Sequence, residues 1–241
     1  MLKKNFIVAI AFLMTVIVGI QANGFAFSGK VKKQAKFKVR IENISNPEGL
    51  TTKDGSKYPF AVSPGLFVVT TKKMDFFRAG KKANAGLEAQ AEDGNPEVLS
   101  KELLTKIGST NMSIFNMPVG ADKPAPILPG GAFEFEFTAT EGQKLNLIAM
   151  YGQSNDLFYA PEKAVELFVN GEAISGDITD KLMLWDAGTE VNQAPGIGAD
   201  QAPRQKSPNT GAKEDVPVGL VKDGFSYPNT KDVLKVTISK E

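Results

Sequence analysis

The chain has 241 residues, 28 of them basic and 27 acidic, with no histidine and no cysteine. Near-neutral charge gives it no bulk electrostatic reason to seek nucleic acid. The missing imidazole and thiol groups exclude Ser-His-Asp and Cys-His catalysis, disulfide bridges, and any zinc or copper site built on nitrogen or sulfur.

Lys3 and Lys4 precede an apolar run from Phe6 to Ile20 in which Thr15 is the one polar residue, and small residues follow. This is the pattern of an export signal. Ala22 and Ala26 both suit cleavage, and Gly24-Phe25-Ala26 is the better small-x-small match. An uncleaved anchor is the alternative, but the run falls short of the ~18–20 residues that span a bilayer. No cysteine follows, so a lipid anchor is not expected. A signal over residues 1–26 leaves a mature chain, 27–241, that is secreted or periplasmic and not membrane-spanning. That length is ample for one large β sandwich with a buried core. Without Lys3 and Lys4 it carries 26 basic and 27 acidic residues.

Residues 35–43 alternate. Phe37, Val39 and Ile41 face one way, and Lys36, Lys38, Arg40 and Glu42 the other, which predicts a half-buried strand. A turn-rich loop over 46–63 leads to a second, more fully buried strand at 65–70. Helix formers occupy 85–93, and Asp93-Gly94 breaks them. Asn95 then caps a second helix, with Pro96 at its first position, Glu97 in its first turn and Gly108 at its end. Val98, Leu99, Leu103 and Ile107 form its apolar stripe. Two short helices between strands suit a lid or side cover on a sheet.

Strands return after Gly131. Phe133, Phe135 and Phe137 alternate with Glu134 and Glu136, which makes a core strand with a solvated carboxylate face. Further strands are predicted at 144–152, 164–169 and 181–185, with an Asn170-Gly171 turn between the last two. Residues 186–230 are rich in Gly, Pro, Asn and charge with little periodicity, as in a functional or disordered loop. Leu234, Val236 and Ile238 alternate in a closing strand. The expected fold is an all-β, antiparallel β-sandwich with a small helical insertion.

The run Leu182-Met183-Leu184-Trp185 ends in an acidic turn, Asp186-Ala187-Gly188-Thr189-Glu190. Two carboxylates four residues apart with a glycine between them fold around one point, as a hard cation such as calcium requires. Asp and Gly are equally ordinary turn residues. If strands 164–169 and 181–185 pair as an extended hairpin, Asp156, Asp186 and Glu190 share one end of the sandwich. Crowded carboxylates repel unless a cation or protons neutralise them. An independent strand at Glu172-Ala173-Ile174 would instead send Asp186 to the far end.

Ala85-Gly86-Leu87-Glu88 with Ala91-Glu92-Asp93-Gly94, then Ser154-Asn155-Asp156-Leu157-Phe158, then Leu184-Trp185-Asp186-Ala187-Gly188-Thr189, occur in this order. The series resembles the spondin domain of F-spondin and mindin, and most closely bacterial secreted proteins carrying that domain alone. The resemblance covers most of the mature chain, from about Phe37 to the last strand. It implies a β sandwich similar to calcium-dependent membrane-docking modules, with a divalent cation in loops at one end. It also implies that Asp156 and Asp186 are metal ligands. The family usually has Asp where Glu190 stands and often Trp where Leu157 stands, so the third ligand and the adjoining surface differ here. The disulfides and extra repeats of animal members are missing, and their partners do not carry over.

The resulting expectation is a non-catalytic, calcium-binding, cell-adhesion or binding module, with metal ligands Asp156, Asp186 and Glu190. Its expected partners are a glycan, lipopolysaccharide or a matrix protein, with no nucleic acid. The alternatives are a structural envelope or matrix protein stabilised by the cation, and a hydrolase of unknown type. A few carboxylates plus carbonyls and water suit dissociation constants of order 0.1–1 mM. At about 1 mM calcium and 0.1 mM affinity, linkage stabilises the fold by roughly 1.4 kcal/mol. Glu92-Asp93 could approach the cation from a second side, or be exposed or capping. The basic run Lys72, Lys73, Arg78, Lys81 and Lys82 beside Phe76 and Phe77 reads as a solvated loop whose phenylalanines dock the core. Its functional reading is a patch for acidic glycans, lipopolysaccharide or phospholipid headgroups. Lys30, Lys32 and Lys33 read as a mobile lead-in. Trp185 is expected to plug the sandwich end.

Overall fold

Alternating apolar residues build two antiparallel sheets that face each other. The structure, a computed structural model, describes residues 31–241 except 74 and 108–110. The expected signal, Lys30 and the helix stop at Gly108 lie outside the described residues. The smaller sheet has four strands in the order Gly176–Asp177, Leu234–Lys240, Gln34–Asn43 and Ala132–Thr140. Its register sets Phe37 opposite Phe137, Val39 opposite Phe135 and Ile41 opposite Val236. The outward residues of the same strands pair as ions: Arg40 Nη1 lies 2.7 Å from Glu134 Oε1, and Lys36 Nζ lies 2.5 Å from Glu136 Oε2. The expected solvated carboxylate face is thus a ladder of exposed ion pairs, worth little each.

The larger sheet runs Gly219–Leu220, Leu182–Asp186, Leu157–Pro161, Lys144–Tyr151, Val62–Thr70 and Asn111–Phe115. The short strand Val165–Glu166 also pairs with Lys144–Tyr151. This sheet is covered on both faces, and Val62–Thr70 shows why its sequence is apolar nearly throughout. Phe67 and Val69 point into the space between the sheets with Phe37, Phe133, Leu147 and Tyr151. Leu66 and Val68 point the other way, against Leu87, Ala91, Leu99 and Leu103. Two-sided burial removes the polar alternation of a half-exposed strand.

The second face belongs to the helices, α1 (Ala85–Asp93) and α2 (Pro96–Ile107). Asn84 Oδ1 caps α1 by accepting from Leu87 N–H at 2.8 Å, and Gly94 ends it in the left-handed conformation at φ 63°. Asn95 Oδ1 accepts from Glu97 N–H at 3.1 Å at the start of α2. Sheet, sheet and helix pair make three layers within one unit, Lys32–Glu241. Trp185 belongs to the helix-facing layer. Its Nε1–H donates to the Ala160 carbonyl at 3.0 Å and its ring packs on Phe77, so it does not plug the sandwich end. No helix among the described residues is long and apolar enough to cross a membrane.

The predicted strand at 164–169 is in fact two fragments, Val165–Glu166 and Phe168–Val169, the latter turning through Asn170-Gly171 to pair with Glu172–Ala173. From there the chain crosses to the small sheet at Gly176–Asp177 and returns through a 3-10 turn, Thr179–Lys181. Leu182–Asp186 then pairs with Leu157–Pro161, a strand the alternation did not signal. All five residues of that strand are buried, so nothing in it alternates.

Candidate metal centre

The acidic residues meet because of that strand pairing. Register sets Asp186 opposite Leu157, and Ala187 N–H donates to the Asp156 carbonyl at 3.2 Å. Asp156 and Asp186 therefore stand at the same end of the larger sheet. The partner of Leu182–Asp186 is not the one expected, but the consequence drawn from the expected hairpin is the same. The Glu172–Ala173 fragment does form, yet the crossing and return that follow bring Asp186 back.

Asp156 is fully buried. Its Oδ2 accepts from Thr189 N–H at 2.7 Å, Thr189 Oγ1 at 3.1 Å and Glu190 N–H at 3.1 Å. Its Oδ1 has no partner. Burial, and then the Asp186 charge, push its carboxyl up to about 7, against the three donors that favour the anion. Asp186 is half-buried. Its Oδ1 accepts from Gly188 N–H at 2.7 Å and its Oδ2 from Asn192 Nδ2 at 2.7 Å. Burial raises its pKa, and the charge of Asp223 adds to the rise. Gly188 makes the turn: it sits at φ 68°, and a Cβ there would lie 2.4 Å from the Val216 carbonyl oxygen.

Glu190 is also buried, but it faces a different neighbourhood. Its Oε2 accepts from Asn155 Nδ2 at 3.3 Å, and Gly211 packs so closely that a Cβ would sit 2.6 Å from that oxygen. Burial, with the charges of Glu92, Asp156 and Asp200, pushes its carboxyl up to about 7 while Asn155 works the other way. Glu92, at the end of α1, is 3% exposed rather than an open cap, and its Oε2 has no partner. Burial raises its pKa, and its hydrogen bond with Thr189 opposes that.

Among the described residues no three acidic side chains stand close enough to hold one ion. The carboxylates divide into Asp156 with Asp186, and Glu190 with Glu92. Beside the first pair lies a further oxygen: Asn192 gives its amide N–H to Asp186, and its buried Oδ1 has no partner. Asp186 and Asn192 also line an open cleft of about 410 Å³ with Glu214 and Asp223, while Asp156 and Glu190 lie outside its walls. Orphaned buried acceptors of one kind, oxygen, are what a hard cation satisfies. Asn192, Glu214 and Asp223 were not legible from spacing, because they lie in the aperiodic stretch after the acidic turn.

That stretch is well tied. Glu214 N–H donates to the Thr189 carbonyl, Val216 N–H to Gly188 and Val191 N–H to Ala212, at 2.8–3.0 Å. Gln201, fully buried, donates to the Gln193 and Ala194 carbonyls, and Arg204 reaches Gln153 Oε1 at 2.9 Å. The loop has a polar core in place of an apolar one. No family model and no curated protein matches this chain, so the chemistry of the site rests on its own geometry.

Proposed function

We propose that the chain is an exported, non-catalytic binding or adhesion module of the spondin type, whose acidic loops hold one divalent cation, calcium first. Asp156 and Asp186 are its carboxylate ligands, and Asn192 adds an amide oxygen. Glu190, the third position expected from sequence, joins by turning away from Asn155. The observation that carries this reading is the unpartnered Oδ1 of fully buried Asp156, next to a second carboxylate. An ionised group in that position is costly without a compensating charge.

The test is a thermal melt of chelator-treated protein with and without about 1 mM calcium. A one-site linkage gives roughly 1.4 kcal/mol, about 3–6 °C for a domain of this size. Asp186→Ala should abolish the shift, and an unshifted wild type refutes the reading. The structural alternative, a matrix or envelope component, is favoured by one feature: Asp156 already organises Thr189 and Glu190 from inside the fold. A calcium-dependent melt without calcium-dependent adhesion would select it.

A further inference from the structure

The basic run on the helix side of the larger sheet forms a trough. Two adjoining clefts, of about 710 and 500 Å³, share Lys72, Lys73 and Arg78 on their walls. The first adds Lys144 and Lys163, and the second Lys81, Lys82 and Lys106. Against these eight basic side chains the walls carry two acidic ones, Asp75 and Glu162. The chain as a whole is near neutral at +1, so positive charge is concentrated here. Arg78 pairs with Asp75 at 3.3 Å, Lys82 with Asp215, Lys144 with Glu166 at 2.5 Å and Lys106 with Glu102 at 3.8 Å, whereas Lys73, Lys81 and Lys163 have no carboxylate partner among the described residues. The loop is fixed to the body: Gly80 N–H donates to the Val218 carbonyl at 2.8 Å, and Val218 N–H to Lys81 at 2.9 Å.

The floor decides which polyanion fits. Phe76 is 5% exposed and Trp185 3%, and Phe77 lies on Phe158 and Trp185 at centroid distances of 5.0 and 4.7 Å. Phe76 and Trp185 are sunk, and Phe77 is half-buried with its ring held against Phe158 and Trp185. Together they offer little apolar surface to insert into a bilayer and no row of open rings on which successive unpaired bases could stack. What remains is a groove that reads charge along a chain. We propose that this trough binds a linear anionic polysaccharide, one bearing sulfate or uronate groups. The proposal stands whether or not a cation binds at the acidic end.

The test is calorimetric titration of the purified full chain with heparin and with polygalacturonate, beside neutral dextran. At least one anionic polymer should bind and dextran should not, with affinity falling steeply from about 0.1 M to about 1 M salt. K73A/K81A/K163A should weaken binding about tenfold, three exposed ion pairs' worth. The control K231A/K235A/K240A, on or next to the closing strand of the small sheet, should bind as wild type does. Absence of binding to both polymers, an undiminished K73A/K81A/K163A variant, or an equal loss in the control would each overturn the proposal. Tighter binding to phosphatidylglycerol vesicles or to a DNA duplex, lost in K73A/K81A/K163A, would also overturn it by assigning the trough to a different partner class.

Discussion

The acidic loop end and the basic trough carry opposite charges by opposite means. At the acidic end the carboxylates are withdrawn from water and held by backbone amides, a threonine and two asparagines. In the trough the lysines stay in solvent around aromatic rings that are buried or half-buried. Withdrawn charge is coupled to the fold, because every donor around it loses its partner if it goes. Solvated charge is coupled only to whatever arrives from outside. The two regions lie a few residues apart, Trp185 flooring one and Asp186 opening the other, so the difference comes from burial and not from place.

The hardest test of that contrast is Asp156→Ala. It strands Thr189 N–H and Glu190 N–H inside the protein. The expected loss is about 3 kcal/mol, or roughly 6–12 °C in a calorimetric melt. Asp156→Asn keeps an acceptor for those donors while removing the charge. It should melt within a few degrees of the chelator-treated wild type and lose its calcium response altogether. If both variants melt like wild type, the acidic end is not organised from Asp156.

The next test is pH. In the metal-free protein Asp156 and Glu190 hold protons up to about 7, above the ordinary carboxylate range that the unfolded chain shows. A raised acid binds more protons folded than unfolded, so stability is greatest at the acid end of the window and falls as pH rises through it. Calcium should reverse the loss at the alkaline end by stabilising the ionised forms. Melting temperatures with and without calcium should therefore separate above about pH 7 and converge near pH 5. Parallel curves across that range would remove Asp156 and Glu190 from the cation's surroundings.

A smaller effect distinguishes Asn192 from Glu190. Asn192→Ala removes an orphan oxygen and a hydrogen bond to Asp186, and should weaken calcium about five- to tenfold by titration. Glu190→Gln should weaken it less, since Glu190 must first leave Asn155 and Gly211 to reach the ion. The reverse order would make Glu190 the stronger ligand of the two.

The half-buried and amphipathic elements were legible in the sequence because each carries its own period. Phe37-Val39-Ile41, Phe133-Phe135-Phe137 and Leu234-Val236-Ile238 all read correctly as strands, and Asn95-Pro96-Glu97 marked the start of α2. Leu157–Pro161 has no period, since it is buried on both faces, and so the strand that actually positions Asp186 went unseen. The same blindness explains Trp185, whose orientation depends on which layer covers its face. That Asp156 and Asp186 share one sheet end was legible because each stands at or beside a strand end, where a short-range argument reaches. Asn192, Glu214 and Asp223 are placed by loop hydrogen bonds among residues 186–227, and no local rule encodes those.

The smallest expected effect is on the trough, and it is the stability of K73A/K81A/K163A. All three lysines are exposed and lack carboxylate partners among the described residues. Surface substitutions away from such partners change stability by about 0.5 kcal/mol or less in either direction. Thinning a crowd of like charges also relieves some repulsion. The melt should therefore stay within about 1–2 °C of wild type while polysaccharide binding falls. A drop approaching that of Asp156→Ala would mean that these lysines brace the loop against residues 215–218. The trough would then belong with the acidic end as a structural device, and the distinction between withdrawn and solvated charge would fail in this fold.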